Sequence, residues 1–220
     1  MTQEIKTINL GGVNCYLVKA GDGFILIDTG FSSKRAYLEK ELESAGVMPG
    51  NLKLIILTHG DSDHADNCAY LREKYGAKIA MHHDDSGMVE HGDMSWNRKA
   101  KPDKISITFK IMTTIFGKLS KPGNFNTFKP DFLVEDGQGL SEYGFGAKVL
   151  HLPGHSKGSI GILTAGGDLF CGDLLYNFAG FNFIDDLEDF HASIRKLKSL
   201  KINTVYPGHG KSFPMSSFYK

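Results

Sequence analysis

Short apolar-rich runs open the chain, Lys6 to Leu10, Asn14 to Lys19 and Phe24 to Asp28, separated by Gly11-Gly12 and Gly21-Asp22-Gly23. Runs of this length bounded by glycine turns read as strands. Tyr37, Leu38, Leu42 and Ala45 then recur at helical spacing, with Ser32 or Ser33 placed to cap the helix and Gly46 to end it. A wholly apolar run, Leu54 to Leu57, reads as a buried strand, followed by a helix from about Ala65 to Tyr75 and a strand from Lys78 to Met81. Further strands are expected near 131–134, 145–152, 159–164 and 168–171, a helix near 186–200, and a last strand from Thr204 to Tyr206. Two β-rich halves, residues 10–81 and 131–210, each followed by helices, predict an α/β (α+β) protein. Its two mixed sheets should lie face to face under outer helices, as a four-layer αββα sandwich.

Residues 82–127 break this rhythm. Ile105, Phe109, Met112, Phe116 and Leu119 fall on one helical stripe, and Ile107, Ile111 and Ile115 add a second apolar flank. A helix apolar on both flanks must bury both. The stripe therefore predicts a helical insert over the core edge, over the cleft entrance as a lid, or against a second subunit in a homodimer.

Length and composition narrow the class without naming it. At 220 residues the chain suits a single domain, 1–220, and its 41% apolar and 23% charged content is that of ordinary globular proteins. Lys plus Arg and Asp plus Glu number 25 each, so no net positive field steers a nucleic acid. The N-terminus lacks the build of a secretory signal, and no apolar run approaches the roughly 20 residues needed to cross a bilayer. Three cysteines, Cys15, Cys68 and Cys171, are an odd set without zinc-finger spacing. Reduced thiols in a cytoplasmic protein are expected, with Cys68 buried rather than serving as ligand or nucleophile.

The chemistry concentrates in "LTHGDSDHADN", residues 57–67, where His59, Asp61, Asp63 and His64 crowd the end of a buried strand. So many acids together are costly unless a positive charge sits among them, and a metal ion is the simplest candidate. Three later strand-end turns each deliver one more metal-competent side chain: His155 in "HLPGHSKGS", Asp173 in "FCGDLLY" and His209 in "VYPGHGKSF". Mixed imidazole and carboxylate donors suit borderline and hard divalent ions.

In these residues the chain resembles the metallo-β-lactamase-fold superfamily, whose hallmark is His-x-His-x-Asp-His, then a distant His, a Gly-Asp and a final His. Here the series reads His59-x-Asp61-x-Asp63-His64, then His155, Asp173 and His209, with Asp28-Thr29-Gly30 matching the early acidic turn. The resemblance spans Leu10 to Gly210, least well over 82–127. It implies a first metal held by His59, Asp61 and His155, a second by Asp63, His64 and His209, and Asp173 bridging them. It also implies a metal-dependent hydrolase that acts on an ester, thioester, lactone or phosphodiester with a hydroxide between two divalent ions, zinc foremost and iron or manganese as alternatives. Asp63 would orient that hydroxide or accept its proton. Asp61 stands where the family has a histidine, and Asp61→His is expected to restore the usual pattern and shift preference toward zinc.

The rival reading is an iron-dependent oxidoreductase. Persulfide dioxygenases of this family hold one iron through the positions of His59, His155 and Asp173, and di-iron relatives carry a carboxylate at the position of Asp61. An RNA-processing or non-catalytic metal-binding role, secreted β-lactamase activity and a glyoxalase II activity are all disfavoured. The last is disfavoured because the resembled enzymes add a helical domain for the glutathione thioester. Tyr176, Asn177 and Lys211 are candidate substrate contacts, with Lys157 beside them and Phe178, Phe181 and Phe183 forming an apolar wall. His82, His83 and His91 are expected to be solvated residues or part of the cleft rim, His151 to be structural, His191 to lie at the surface or core edge, and Asp28 to be a turn residue or the partner of a histidine rather than a direct ligand.

Overall fold

The computed structural model describes residues 4–106, 125–176 and 183–218. One sheet contains β1 (Ile5–Asn9), β2 (Asn14–Ala20), β3 (Gly23–Ile27), β4 (Leu52–Ile56), β5 (Lys78–His82) and, after a short β6 (Lys104–Ile105), β7 (Phe132–Val134), in the order β1-β2-β3-β4-β5-β7. β1, β2 and β3 are antiparallel, whereas β3, β4, β5 and β7 run parallel. Parallel strands are covered on both faces, which is why Leu54 to Leu57 is apolar without alternation. The second sheet is built from β8 (Ala147–His151), β9 (Ile160–Thr164), β10 (Asp168–Gly172), β12 (Thr204–Pro207) and β13 (Phe213–Pro214), in the order β13-β12-β10-β9-β8. Between β10 and β12, β11 (Phe183–Ile184) pairs with β6 as a separate ribbon.

Side-chain alternation sorts the core into layers. Ile25, Ile27, Leu54 and Ile56 of the first sheet meet Val149, Ile160, Ile162 and Phe170 of the second. Leu26 and Ile55 point the other way, onto α1 (Arg35–Ser44) through Leu38 and Leu42 and, past the single turn α2 (Ser62–Ala65), onto α3 (Cys68–Tyr75) through Cys68 and Leu71. After α4 (His83–His91), the outer face of the second sheet is covered by α5 (Leu187–Lys198), where Leu197, Phe190 and Ile194 pack on Leu150, Leu169 and Val205; a final turn, α6 (Met215–Phe218), closes the described chain. The order is helix, sheet, sheet, helix, as expected. No described helix is long and apolar enough to cross a membrane.

Four details differ from the sequence pattern. The strand near 131–134 extends the first sheet beside β5 rather than joining the second. The helix over 65–75 is interrupted where the Asn67 amide donates to the carbonyls of Thr29, Gly30 and Phe31. Ser32 and Ser33 cap nothing; they lie in a 3-10 turn, Ser32–Lys34, and Asp66 accepts the Ser32 N–H. Ile105 lies in β6, so the two-flanked helix does not begin there, and the rest of its stripe falls outside the described residues.

The loops that follow β3, β4, β8, β10 and β12 are tied to one another along one edge of the sandwich. Ile160 N–H donates to Thr58 O, Thr29 N–H to His64 O, and Gly208 N–H to Gly172 O. The buried Asn14 amide donates to Pro207 O at 3.0 Å and Gly210 O at 2.8 Å, fastening β2 to the His209 turn. Asn14→Leu keeps the volume but takes the amide donor from Gly210 O and leaves Pro207 O with the Tyr16 hydroxyl alone, and should lower stability by about 1–3 kcal/mol in urea unfolding. Unchanged stability would show that the turn holds without the amide.

Candidate metal centre

The site starts at Asp28, the residue after β3, which adopts φ +59°. Aspartate tolerates this left-handed backbone better than most side chains, and here it turns a buried carboxylate toward the β4 loop. Asp28 Oδ1 accepts the Thr58 N–H at 2.8 Å, and Oδ2 accepts the Thr58 hydroxyl at 2.8 Å. His64 Nδ1 lies 2.9 Å from the same Oδ2.

Hydrogen-bond bookkeeping then fixes all four histidines. The Thr58 hydroxyl has given its only proton to Asp28, so at 3.0 Å it accepts from His59 Nδ1–H. His64 Nδ1–H donates to Asp28, His155 Nδ1–H to Phe183 O at 3.1 Å, and His209 Nδ1–H to Gly12 O at 2.7 Å. Each neutral ring therefore presents its Nε2 lone pair inward, the tautomer that a metal ligand requires.

The seven predicted side chains do converge. Among the described residues, His59, His155 and Asp173 bring donor atoms within 4.8 Å of one another, and so do Asp63, His64 and His209. Asp173 joins the two groups, with Oδ1 at 3.3 Å from His64 Nε2 and Oδ2 at 3.2 Å from His209 Nε2. Asp63 Oδ2 lies 3.3 Å from His209 Nε2 and 3.7 Å from His64 Nε2; Asp61 Oδ2 lies 2.9 Å from His155 Nε2 and 3.4 Å from His59 Nε2. Bonds of about 2.1 Å to one ion would put neighbouring ligand atoms roughly 3.0–3.4 Å apart. His59 Nε2, His64 Nε2 and Asp173 Oδ1 are buried without a hydrogen-bond partner. Orphaned acceptors aimed at common points fit two divalent cations.

Without ions, protons must supply the positive charge. Burial works against an imidazolium, yet Asp173 and Asp63 push His209 up to about 10, and Asp173, Asp63 and Asp28 hold His64 well above its ordinary value. Burial likewise opposes ionised carboxylates, but His209 and His64 keep Asp173 well below the usual range. Metal binding must displace those protons.

The profile of the metallo-β-lactamase superfamily matches residues 8–209. The chain belongs to this superfamily. It is similar to hydroxyacylglutathione hydrolase GloC of Haemophilus influenzae, 29% identical over 96% of this chain and 91% of that protein. It is also similar to human acyl-coenzyme A thioesterase MBLAC2, 22% identical over 94% of this chain and 76% of that protein. Among solved structures, TTHA1623 in a di-iron-bound form superposes with a TM-score of 0.73 at 26% identity, covering 99% of this chain and 97% of that one. Since the chain aligns with 91% of a hydroxyacylglutathione hydrolase, an added helical domain is no requirement for a relative of that name.

Two residues that the sequence reading missed organise this superfamily site. Asp85, buried on α4, accepts from Gly60 N–H (3.1 Å), Ser156 Oγ–H (2.6 Å) and Gly158 N–H (2.7 Å), joining the His59–His64 loop to the His155 loop. Arg98 grips Asp61 with both terminal nitrogens, at 2.8 and 2.9 Å. Neither has a motif; each is one acid or base in the poorly matched segment.

Of the other candidates, Tyr176 stands beside His209, ring centroids 6.2 Å apart, and its hydroxyl bonds to Asp173. Lys211 and Lys157 are exposed on their loops. Asn177, Phe178 and Phe181 lie outside the described residues. His82 is not a solvated rim residue: it is buried and stacked on His151 at 4.1 Å, whereas His83 and His91 are exposed. His151 donates to Lys157 O, and His191 is at the surface. All three cysteines are buried and free, and burial pushes the Cys68 thiol up, consistent with an inert core residue.

Two substitutions test the geometry. A Cβ on Gly208 would lie 2.2 Å from Asp173 Oδ1 and 2.7 Å from His64 Cε1. Gly208→Ala should therefore keep the circular dichroism of the fold and lose bound metal by mass spectrometry; full occupancy would contradict the close packing. In Asp28→Asn, either amide orientation sets NH2 against a donor from Thr58 or His64. Affinity measured by competition with a chromophoric chelator should fall roughly 10–100-fold, and an unchanged value would remove Asp28 from its orienting role.

Proposed function

We propose that this chain is a thioester hydrolase that uses two divalent metal ions. The observation that carries the reading is the pair of donor groups joined through Asp173, with every ligand histidine turned Nε2-inward. His59, His155 and Asp173, with Asp61 beside them, would hold one ion, and Asp63, His64 and His209, sharing Asp173, the other. When bound, the ions supply a Lewis acid for the substrate carbonyl and acidify water to a nucleophile at neutral pH. Asp63 is the more open carboxylate of the second group, and His64 and His209 keep it ionised despite burial. It is placed to orient the attacking water and take its proton. Tyr176 donates to Asp173 and walls the His209 side; burial first, then Asp173, keeps its phenol protonated. Two relatives support the thioester class, one hydrolysing, by its name, an acylated glutathione and the other acyl-coenzyme A.

A second reading, iron-dependent oxidation of a persulfide, draws on the intact His59, His155 and Asp173 group and on the di-iron form of TTHA1623. One experiment separates them. Protein purified without added metal is assayed for metal content and then offered hydroxyacylglutathione and acyl-coenzyme A thioesters, the matching oxygen esters, a lactone, a phosphodiester and a persulfide. Thioester cleavage that a chelator abolishes and divalent metal restores is expected. Oxygen uptake on the persulfide by a one-iron protein, with no thioester turnover, would overturn the proposal.

A further inference from the structure

We propose that Arg98 and Asp61 act together as the charge equivalent of a single neutral histidine in the first donor group, so that Arg98, from outside every ligand loop, sets how tightly and how selectively that group holds its ion. The inference rests on the metal reading of the site and adds a residue that determines specificity.

Exchanging the motif histidine for aspartate adds one negative charge where Asp173 already supplies another. The structure answers that charge locally. Asp61 and Arg98 side chains are 17% and 12% exposed, and the guanidinium fork meets both carboxylate oxygens. Paired burial of this kind needs both partners. Burial would raise the Asp61 carboxyl, but Arg98, with His155 and His59, holds it well below the usual range. The grip does not withdraw Asp61 from the donor group. A carboxylate oxygen has two lone pairs, and while one on Oδ2 accepts from Arg98, the same oxygen sits 2.9 Å from His155 Nε2 and 3.4 Å from His59 Nε2.

Arg98 is held in place independently of Asp61. It donates to Met94 O at 3.1 Å, and its guanidinium lies 5.1 Å from the centroid of Phe183, the residue whose carbonyl orients His155. Its neighbour Lys99 donates its N–H to Asp185, and β6 pairs with β11 across Phe183 and Ile105. The cation and the His155 ring are thus positioned by the same ribbon. This arrangement also revises the expectation for Asp61→His: the imidazole would face a guanidinium that has lost its carboxylate, and the first ion would bind beside an uncompensated positive charge.

The test is a four-protein comparison of parent, Asp61→His, Arg98→Met and the double variant, each stripped of metal and titrated with Zn²⁺ and Mn²⁺ by calorimetry, with melting temperatures of the metal-free forms. Arg98→Met should tighten one of the two binding steps about tenfold or more, most for Mn²⁺, and Asp61→His should weaken the same step by a similar factor. The double variant should return near the parent. Metal-free melting temperatures should fall in both single variants, each leaving one buried charge alone, and recover in the double. Arg98→Lys, which keeps the charge without the fork, should bind close to the parent and serves if Arg98→Met does not fold. If Arg98→Met weakens binding and the double variant is weaker than either single one, Arg98 is only a brace for the loop, and the proposal fails. A parent that binds no metal would instead sink the metal reading itself.

Discussion

Repulsion among ionised carboxylates is the constraint on which the rest of this structure turns. Asp28, Asp61, Asp63 and Asp173 lie within one end of a two-sheet sandwich, three of them facing the same small space. Buried like charges do not stay together unless cations are interleaved. The Arg98 guanidinium supplies one such cation, and protons on His64 and His209, or divalent ions that would take their place among the orphaned donors, supply the others. The metal reading follows from electrostatics as much as from spacing.

The sheets make such crowding achievable. Each ligand turn follows a strand whose side chains are locked in one of three apolar layers, so the turns carry little freedom of their own. Backbone bonds between loops complete the frame, and glycine is required where atoms come closest. At Gly172, φ is +50° and a Cβ would lie 2.5 Å from Thr58 Oγ1. The segment from α4 to β6 completes this frame. Through Asp85 it joins two ligand loops, and through Arg98 it adds a charge to the first donor group.

Much of this was legible beforehand because its signals are local. Short apolar runs bounded by turn residues located most strands to within two or three residues, and the strand-end histidines and aspartates stood out because buried strands seldom end in such clusters. Asp28 was marked beforehand only by the match of Asp28-Thr29-Gly30 to the family's early acidic turn. What escaped was set by distant pairing. Phe132–Val134 carries no mark of which sheet it will join, and Asn67 breaks a helix only because three carbonyls across the fold need its amide. His82 looks solvated in a run of polar residues, yet it stacks under His151, which lies 69 positions further along by number. Arg98 is the sharpest case: its meaning depends on Asp61, and nothing in the residues around it announces that partner.

The most direct measurement of the central claim is anomalous diffraction at the absorption edge of the bound metal, from crystals of the full chain grown with Zn²⁺ or Mn²⁺. The account predicts two peaks per chain, one about 2.0–2.2 Å from the Nε2 atoms of His59 and His155, the other the same distance from those of His64 and His209. Asp173 should touch both. A single peak, or peaks away from these imidazoles, would contradict it.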